Sequence, residues 1–173
     1  MILTSLAPAA RQALPAAAAL ALAACATAPV PEALQPSADQ RVFVDLAATG
    51  VQIYECRAGQ GAPQWAFVAP DAQLFDARGR RAGTHGAGPF WQAPDGSRVV
   101  GSVQARSDVA GAIPWLLLRT RSTGGPGAFE RVSHIQRLHT EGGLAPADGC
   151  RADRVGAQVR VPYRADYRLF VPA

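Results

Sequence analysis

Residues 51–56 read Val-Gln-Ile-Tyr-Glu-Cys, a stretch in which odd-numbered and even-numbered side chains form two alternating sets. Successive side chains of a β-strand point to opposite faces, so this period of two predicts a half-buried strand. Runs of the same character occur on both sides of it, at residues 42–46, 65–68, 73–76, 97–104, 155–161 and 167–171.

Two further segments are predicted as strands on weaker patterns. Residues 113–120 (Ile-Pro-Trp-Leu-Leu-Leu-Arg-Thr) are apolar at four consecutive positions, which fits a central strand or a helix fragment. Their short length favours the strand. Residues 129–140 carry an apolar side chain at every third position, which matches neither period cleanly, and we expect a strand there as well. The tripeptide Pro94-Asp95-Gly96 predicts a turn that joins Trp91 to the next strand as a hairpin.

Together these patterns predict an all-β domain. Roughly nine short strands, turns every 8–15 residues and no sustained helical period favour an antiparallel β-sandwich or barrel over residues 41–173. A length of 173 residues suits one domain, and 17 Gly with 14 Pro fit a chain of short strands and turns.

The N-terminus has the features of a signal peptide. Residues 13–24 are apolar apart from Pro15 and are too few to span a bilayer core of about 30 Å. Residues 22–25, Leu-Ala-Ala-Cys, resemble the bacterial lipobox, which implies removal of residues 1–24 and a lipid on Cys25. The expected location is the cell envelope, at the periplasmic face of the outer membrane. The alternative is ordinary secretion.

Residues 25–40 contain three prolines and no sustained periodicity, and we expect them to form an extended, solvated tether between the lipid and the domain. Removal of Cys25 from the three cysteines leaves Cys56 and Cys150 as an even pair in a compartment that permits disulfides. The sequence therefore predicts one disulfide, with two buried thiols as the alternative.

The charge distribution argues against nucleic acid as a partner. All 17 basic residues are Arg, they oppose 13 acidic residues, and the net charge is +4. This excess is scattered in ones and twos, whereas nucleic-acid sites usually gather it into a stripe.

Several motifs, taken in order, resemble one family. They include Gly50-Val-Gln-Ile-Tyr, Gly83-x-His85-x-x-Gly-Pro-x-Trp91, Ile135-Gln-Arg137 and Pro162-Tyr-x-Ala-Asp-Tyr167. These stretches look like a secreted bacterial and fungal family whose domain is DUF3455, a domain of unknown function, and the resemblance covers about residues 31–171. Some fungal members carry a malate dehydrogenase label, but this chain has no Gly-x-Gly-x-x-Gly, and we predict no cofactor.

His85 and Trp91 are the first candidate site residues. They flank a glycine-rich stretch whose backbone leaves room for a ligand, and Trp91 offers a ring on which a ligand can stack. A place in the core is the alternative for Trp91. We expect the hydrogen bonding of His85 to change near its reference pKa of about 6.5.

Gln136 and Arg137 are the second pair of candidates, because polar side chains among apolar neighbours in a strand need partners. Arg137 pairs with Glu141 or Asp95 in a structural role, or it faces a ligand. With His85 and Trp91, these residues predict one cleft for a small polar ligand.

The predicted function is a non-catalytic binding module for a small polar ligand, a glycan or an envelope partner. The alternative is a periplasmic hydrolase or metal-assisted enzyme that uses His85. That alternative requires His85 to meet Ser97, His134 or His139 in space, since the sequence has no Gly-x-Ser-x-Gly motif.

Overall fold

The computed structural model describes residues 29–173. It shows eight antiparallel strands, each hydrogen-bonded to the next in chain order, with the last closing onto the first as a barrel. The prediction of an all-β antiparallel fold is confirmed, and of the two architectures left open the chain adopts the barrel. The strands are β1 (Gln40–Arg57), β2 (Gln64–Phe75), β3 (Arg81–Gly86), β4 (Phe90–Gln92), β5 (Arg98–Val109), β6 (Ala112–Ser122), β7 (His134–Gly142) and β8 (Gln158–Pro172).

Strand β1 is 18 residues long and includes two of the runs that were predicted as separate strands. Gly50 lies at the join, where a Cβ atom would stand 2.2 Å from the carbonyl oxygen of Asp71 on β2. A side chain there would not fit, so glycine lets the two strands of this curved sheet approach closely.

Strand β8 likewise continues through Pro162, where the sequence suggested a break. Strand β7 ends at Gly142, opposite Tyr163, and the N–H of Gly143 donates to the Pro162 carbonyl at 3.0 Å. From there to Gln158, β1 is the only strand that pairs with β8. Pro162 therefore occupies an edge position, where the missing N–H of proline is tolerated. Strand β2 likewise joins the predicted runs 65–68 and 73–76. The three mergers reduce the nine predicted strands to six, and β3 and β4, which were not predicted as strands, bring the count to eight.

One end of the barrel is closed by residues 123–133. Phe129 and Val132 of this segment are buried in the main core, and the backbone N–H of Phe129 donates to Ser97 Oγ at 3.0 Å. The Asp95 carboxylate accepts from the N–H and the hydroxyl of Ser97 and from the N–H of Ala128. The predicted turn at residues 94–96 is confirmed, and it also holds the closing segment in place.

The ambiguous segment 129–140 is a strand only in its second part. Residues 129–132 form a turn against the core, and β7 begins at His134. Phe129 and Val132 fit the core through this turn, which explains the three-residue spacing that matched neither regular period.

In the described part of the predicted tether, residues 29–40, most side chains are exposed and one is buried. A 3-10 helix at Glu32–Leu34 places Leu34 in a fully buried position on the outside of the barrel, against Trp115, Leu117 and Leu138. A solvated tether fits the exposed residues of this part but not Leu34. The apolar residues of the segment find a matching patch that its periodicity does not reveal.

A disulfide joins Cys56, at the end of β1, to Cys150, with the two Cα atoms 5.3 Å apart. The predicted pair is confirmed. The bond ties the long connection between β7 and β8 to the open end of the barrel, and by the chain-entropy model a loop of this length contributes roughly 4–5 kcal/mol.

Within residues 29–173 no helix has the length and apolar character needed to cross a membrane. The predicted signal peptide at residues 1–24, the lipid at Cys25 and the start of the tether lie outside the described residues.

Candidate ligand-binding cavity

The barrel interior is filled by side chains at its closed end and contains a cavity of about 760 Å³ toward its open end. This volume lies within the range of about 300–1,000 Å³ that is typical of small-molecule sites. Eight-stranded barrels have just enough internal space for packed side chains or one small ligand. The cavity is lined by Gln52, Tyr54, Phe67, Val68, Pro70, His85, Gly88, Pro89, Trp91, Val103, Arg106, Ile113, Pro114, Leu116, Leu118, Arg137, Leu144, Ala145 and Tyr167.

The inner part of the cavity is an aromatic cluster. The His85 ring stacks on Trp91 with centroids 4.2 Å apart, and Tyr167 meets both rings edge-on at 5.1 and 5.5 Å. Strands β3 and β4 pair His85 directly with Trp91, so the hairpin register sets the stack. Trp91 is 1% exposed and belongs to the core, and it also forms part of the cavity wall.

His85 is held neutral. Its Nδ1 lies 2.8 Å from the carbonyl oxygen of Phe90, and a carbonyl only accepts, so Nδ1 carries the proton. Burial lowers the pKa of His85 to about 3, the hydrogen bond to Phe90 opposes this, and the charge of Arg137 adds to the lowering. The expectation of a change near pH 6.5 is therefore wrong, because the imidazole is 4% exposed and cannot readily hold a charge.

Arg137 is partly buried on β7, and its Nε–H donates to the carbonyl oxygen of Pro114 at 3.0 Å. Among the described residues it forms no salt bridge, and the two predicted partners are placed elsewhere. Asp95 accepts hydrogen bonds at the closed end, and Glu141 is exposed. The charge of the guanidinium acts on two tyrosines of the cavity instead. Burial raises the pKa of Tyr54 and of Tyr167, and the charge of Arg137 partly offsets this rise in both.

Gln52 and Tyr54 also line the cavity, although sequence reasoning did not select them. The Tyr54 hydroxyl donates to the carbonyl oxygen of Gly143 at 2.6 Å and so fixes the loop that carries Leu144. Gln52 is 2% exposed, and among the described residues its Nε2 has no hydrogen-bond partner. Both residues lie on the same face of β1 as Cys56. Because a disulfide cysteine is expected to be buried, their even-numbered positions in the strand could have identified them as inward-facing.

The mouth of the cavity is apolar. Four large hydrophobic side chains that line it are exposed by 39–57%, in contrast to the buried core below. They are Phe67, Val68, Val103 and Leu144. Arg106 also lies at the mouth, where it pairs with Asp108 at 2.6 Å.

The model of a family described as "Protein of unknown function (DUF3455)" matches residues 36–171. The chain belongs to this family. The resemblance inferred from the sequence motifs is thereby confirmed. No curated protein and no solved structure matches the chain. Because the family description names no activity, the function of this DUF3455 domain has to be inferred from the cavity.

Three of the four predicted ligand-binding residues, His85, Trp91 and Arg137, lie around this one cavity. Gln136 does not, and its assignment is corrected. It is 1% exposed, and its Nε2 donates to the carbonyl oxygen of Leu34 at 2.6 Å, on the outside of the barrel. Neighbouring residues of a strand face opposite sides, so Gln136 and Arg137 cannot both point inward.

The residues proposed for catalysis are dispersed in the DUF3455 domain. Ser97 Oγ donates to Asp95 and accepts from the Phe129 N–H, which is a structural role at the closed end. His134 contacts Ser133, and the Nδ1 of His139 lies 2.8 Å from Asp166. Over residues 29–173, no three His, Cys, Asp or Glu side chains converge as a metal site. The geometry that the hydrolase or metal-assisted alternative requires around His85 is not formed by these residues.

Proposed function

We propose that this DUF3455 domain is a non-catalytic binding module that holds one small organic ligand inside its barrel. The observation that carries the proposal is a cavity of about 760 Å³ that contains the guanidinium of Arg137 without a carboxylate partner among the described residues. Arg137 is half-buried, and withdrawing an unpaired cation from water even in part costs free energy, so its retention in this cavity favours a role toward a ligand.

The chemistry of the lining supports binding rather than catalysis. A general base works best with a pKa near the operating pH, whereas the pKa of His85 is about 3. Its Nδ1 proton is directed to a backbone carbonyl rather than to a carboxylate that would orient it for acid–base work. A cavity of about 760 Å³ within the barrel favours a small molecule over a protein or an extended glycan.

A substitution at Arg137 tests the proposal. Purified parent protein, Arg137→Met and the matched control Arg121→Met are compared by thermal shift against a library of small acids, sugars and neutral compounds. Arg121 is exposed at the end of β6, away from the cavity. A ligand present at 100 times its Kd stabilises by about 2.7 kcal/mol, which corresponds to about 5–11 °C for a domain of this size.

We expect some compounds to stabilise the parent and Arg121→Met, and to lose this effect on Arg137→Met. A library without any effect on the parent would contradict the proposal. So would an Arg137→Met protein that loses stability but keeps every ligand response, because Arg137 would then be structural.

We also propose that the mature chain is a lipoprotein of the cell envelope, anchored through Cys25. Val30 packs on the same exterior cluster as Val109, the last residue of β5 at the open end of the barrel. Pro29 is four positions after Cys25, and a chain of this length spans at most about 14 Å. An anchor at Cys25 would therefore keep the mouth of the cavity near the lipid surface.

Intact-mass spectrometry of the native protein tests the anchor. We expect a mass that corresponds to an acylated chain beginning at Cys25. An unmodified chain beginning at Ala26 or Thr27 would contradict it.

A further inference from the structure

We infer that the ligand is an amphipathic organic anion, whose acidic head lies at Arg137 and whose apolar body extends toward the mouth of the cavity. This inference rests on the proposed binding function and adds to it the chemical class and the orientation of the ligand. It follows from the charges, the fixed position of the guanidinium and the character of the mouth.

The lining of the cavity carries positive charge only. Its charged side chains are Arg106 and Arg137, and none of the residues that line it is Asp or Glu. Arg106 lies at the exposed mouth and is paired with Asp108 at 2.6 Å. Arg137 has no such partner among the described residues, so its charge inside the cavity is uncompensated and favours an anion.

The guanidinium of Arg137 is already positioned. Its Nε–H is bound to the Pro114 carbonyl at 3.0 Å, which fixes the plane of the group and directs its remaining N–H donors elsewhere. Arg137 lines the cavity together with the fully buried Tyr167. Burial raises the pKa of the Tyr167 phenol, and the charge and hydrogen bonding of Arg137 oppose this rise, so the guanidinium lies close to that phenol. A planar guanidinium held in this way suits a carboxylate, which it binds through two parallel hydrogen bonds.

The apolar side chains at the mouth of the cavity indicate that the body of the ligand is apolar. Phe67 and Val103 are 52% and 57% exposed, although both line the cavity. Large apolar side chains grouped around an opening mark a surface that a ligand or partner covers. A hydrocarbon chain or ring that leads from Arg137 to the mouth would bury them.

A neutral sugar fits this cavity less well. Many hydroxyl groups need many hydrogen-bond partners, whereas the polar groups along the wall are few and are mostly donors, with Gln52 Nε2 and Arg137 among them. An acid with a single head group meets these donors and leaves the rest of the wall to apolar contact.

Isothermal titration with matched probes tests the class of ligand. Decanoate is compared with 1-decanol, which has the same chain without the charge, and with propionate, which has the same head without the body. All three are titrated into the parent, Arg137→Met, Arg137→Lys and the control Arg121→Met. The concentration of 1-decanol is kept below its solubility limit.

We expect one decanoate per barrel for the parent and for Arg121→Met. Arg137→Met should bind decanoate about 10- to 100-fold more weakly, since a hydrogen bond to a charged group is worth that factor. Its affinity for 1-decanol should be unchanged. Arg137→Lys keeps the charge but cannot form the two parallel hydrogen bonds, so its affinity for decanoate should be intermediate. It serves as the test variant if Arg137→Met does not fold. Propionate should bind the parent more than about 100-fold more weakly than decanoate, because each buried CH₂ contributes about fourfold.

Two outcomes would overturn the inference and leave the binding function standing. One is equal affinity of the parent for decanoate and 1-decanol. The other is no decanoate binding while sugars or neutral compounds of the library bind the parent. If neither decanoate nor any library compound binds, both the inference and the proposed function are contradicted.

Discussion

The imidazole of His85 stays uncharged at neutral pH because the barrel surrounds it with two aromatic rings and a backbone carbonyl. Its pKa is about 3 in the folded protein and about 6.5 in an unfolded chain. Between these pH values the unfolded chain binds a proton that the folded protein does not. The folded state therefore loses stability as the pH falls from about 6.5 toward 3.

This linkage gives a prediction for His85→Gln. In the parent, His85 alone lowers the free energy of unfolding by about 2 kcal/mol between pH 7 and pH 5, a window above the usual carboxylate pKa of about 4. Urea unfolding at the two pH values should show a smaller acid loss for His85→Gln than for the parent. His134→Gln is the control: burial and the charge of Arg119 lower the pKa of His134 too, but this residue is only partly buried. An equal acid loss in His85→Gln and the parent would contradict the buried neutral state.

At the same scale, Arg137 and Gln136 show what a sequence does and does not reveal. Both were selected because polar side chains in a strand need partners, and both have one, in the Pro114 and Leu34 carbonyls. We predicted both in one cleft, although strand alternation permits only one of them to face the interior. Which one it is depends on the pairing of β7 with β6 and β8, which local sequence does not specify.

The segment before β1 is the element whose behaviour differs most from its composition. Three prolines and no period suggested a solvated tether, yet Leu34 is fully buried and its carbonyl accepts from Gln136. The apolar patch that receives it is the outer face of β6 and β7, formed by Trp115, Leu117 and Leu138. This explains why residues 113–120 are apolar on both faces: one side fills the barrel and the other lies beneath this segment.

We expect Leu34→Ala to reduce the free energy of unfolding by at least about 2 kcal/mol, as for other buried leucines. The control Glu32→Ala changes an exposed side chain two residues earlier and should stay within about 0.5 kcal/mol. Urea unfolding of both variants measures the difference. A loss below about 0.5 kcal/mol for Leu34→Ala would show that the segment is not part of the stable fold.

Strand β7 departs from a single regular period. His139 has a φ of 47°, a left-handed conformation, and the pairing of β7 with β8 shifts between Leu138 and Glu141. A bulge of this kind changes which side chains face inward along the rest of the strand. No single period therefore describes residues 129–140, which combine a turn, a strand and a bulge.

For the whole molecule, the all-β class could be predicted because the alternation of side chains is visible in local sequence. The disulfide could be predicted because two cysteines remain once Cys25 is set aside. Closure of the barrel could not, since it depends on the pairing of β1 with β8, whose residues are more than 100 positions apart. The ion pair between Asp45 and Arg168, at 2.7 Å, lies across this seam. The cavity follows from closure: side chains seal one end, while the interior near Arg137 remains open.

The most direct test of the account is to locate decanoate in the bound protein. In NMR spectra of the full domain with decanoate, we predict intermolecular NOEs from the ligand chain to the side chains of Phe67 and Val103 at the mouth. The methylene next to the carboxylate should show NOEs to the inner wall, at Tyr167 and Trp91. NOEs confined to Val42 and Phe43, exposed residues near the start of β1, or no NOEs at saturating decanoate, would contradict a ligand-binding cavity in this barrel.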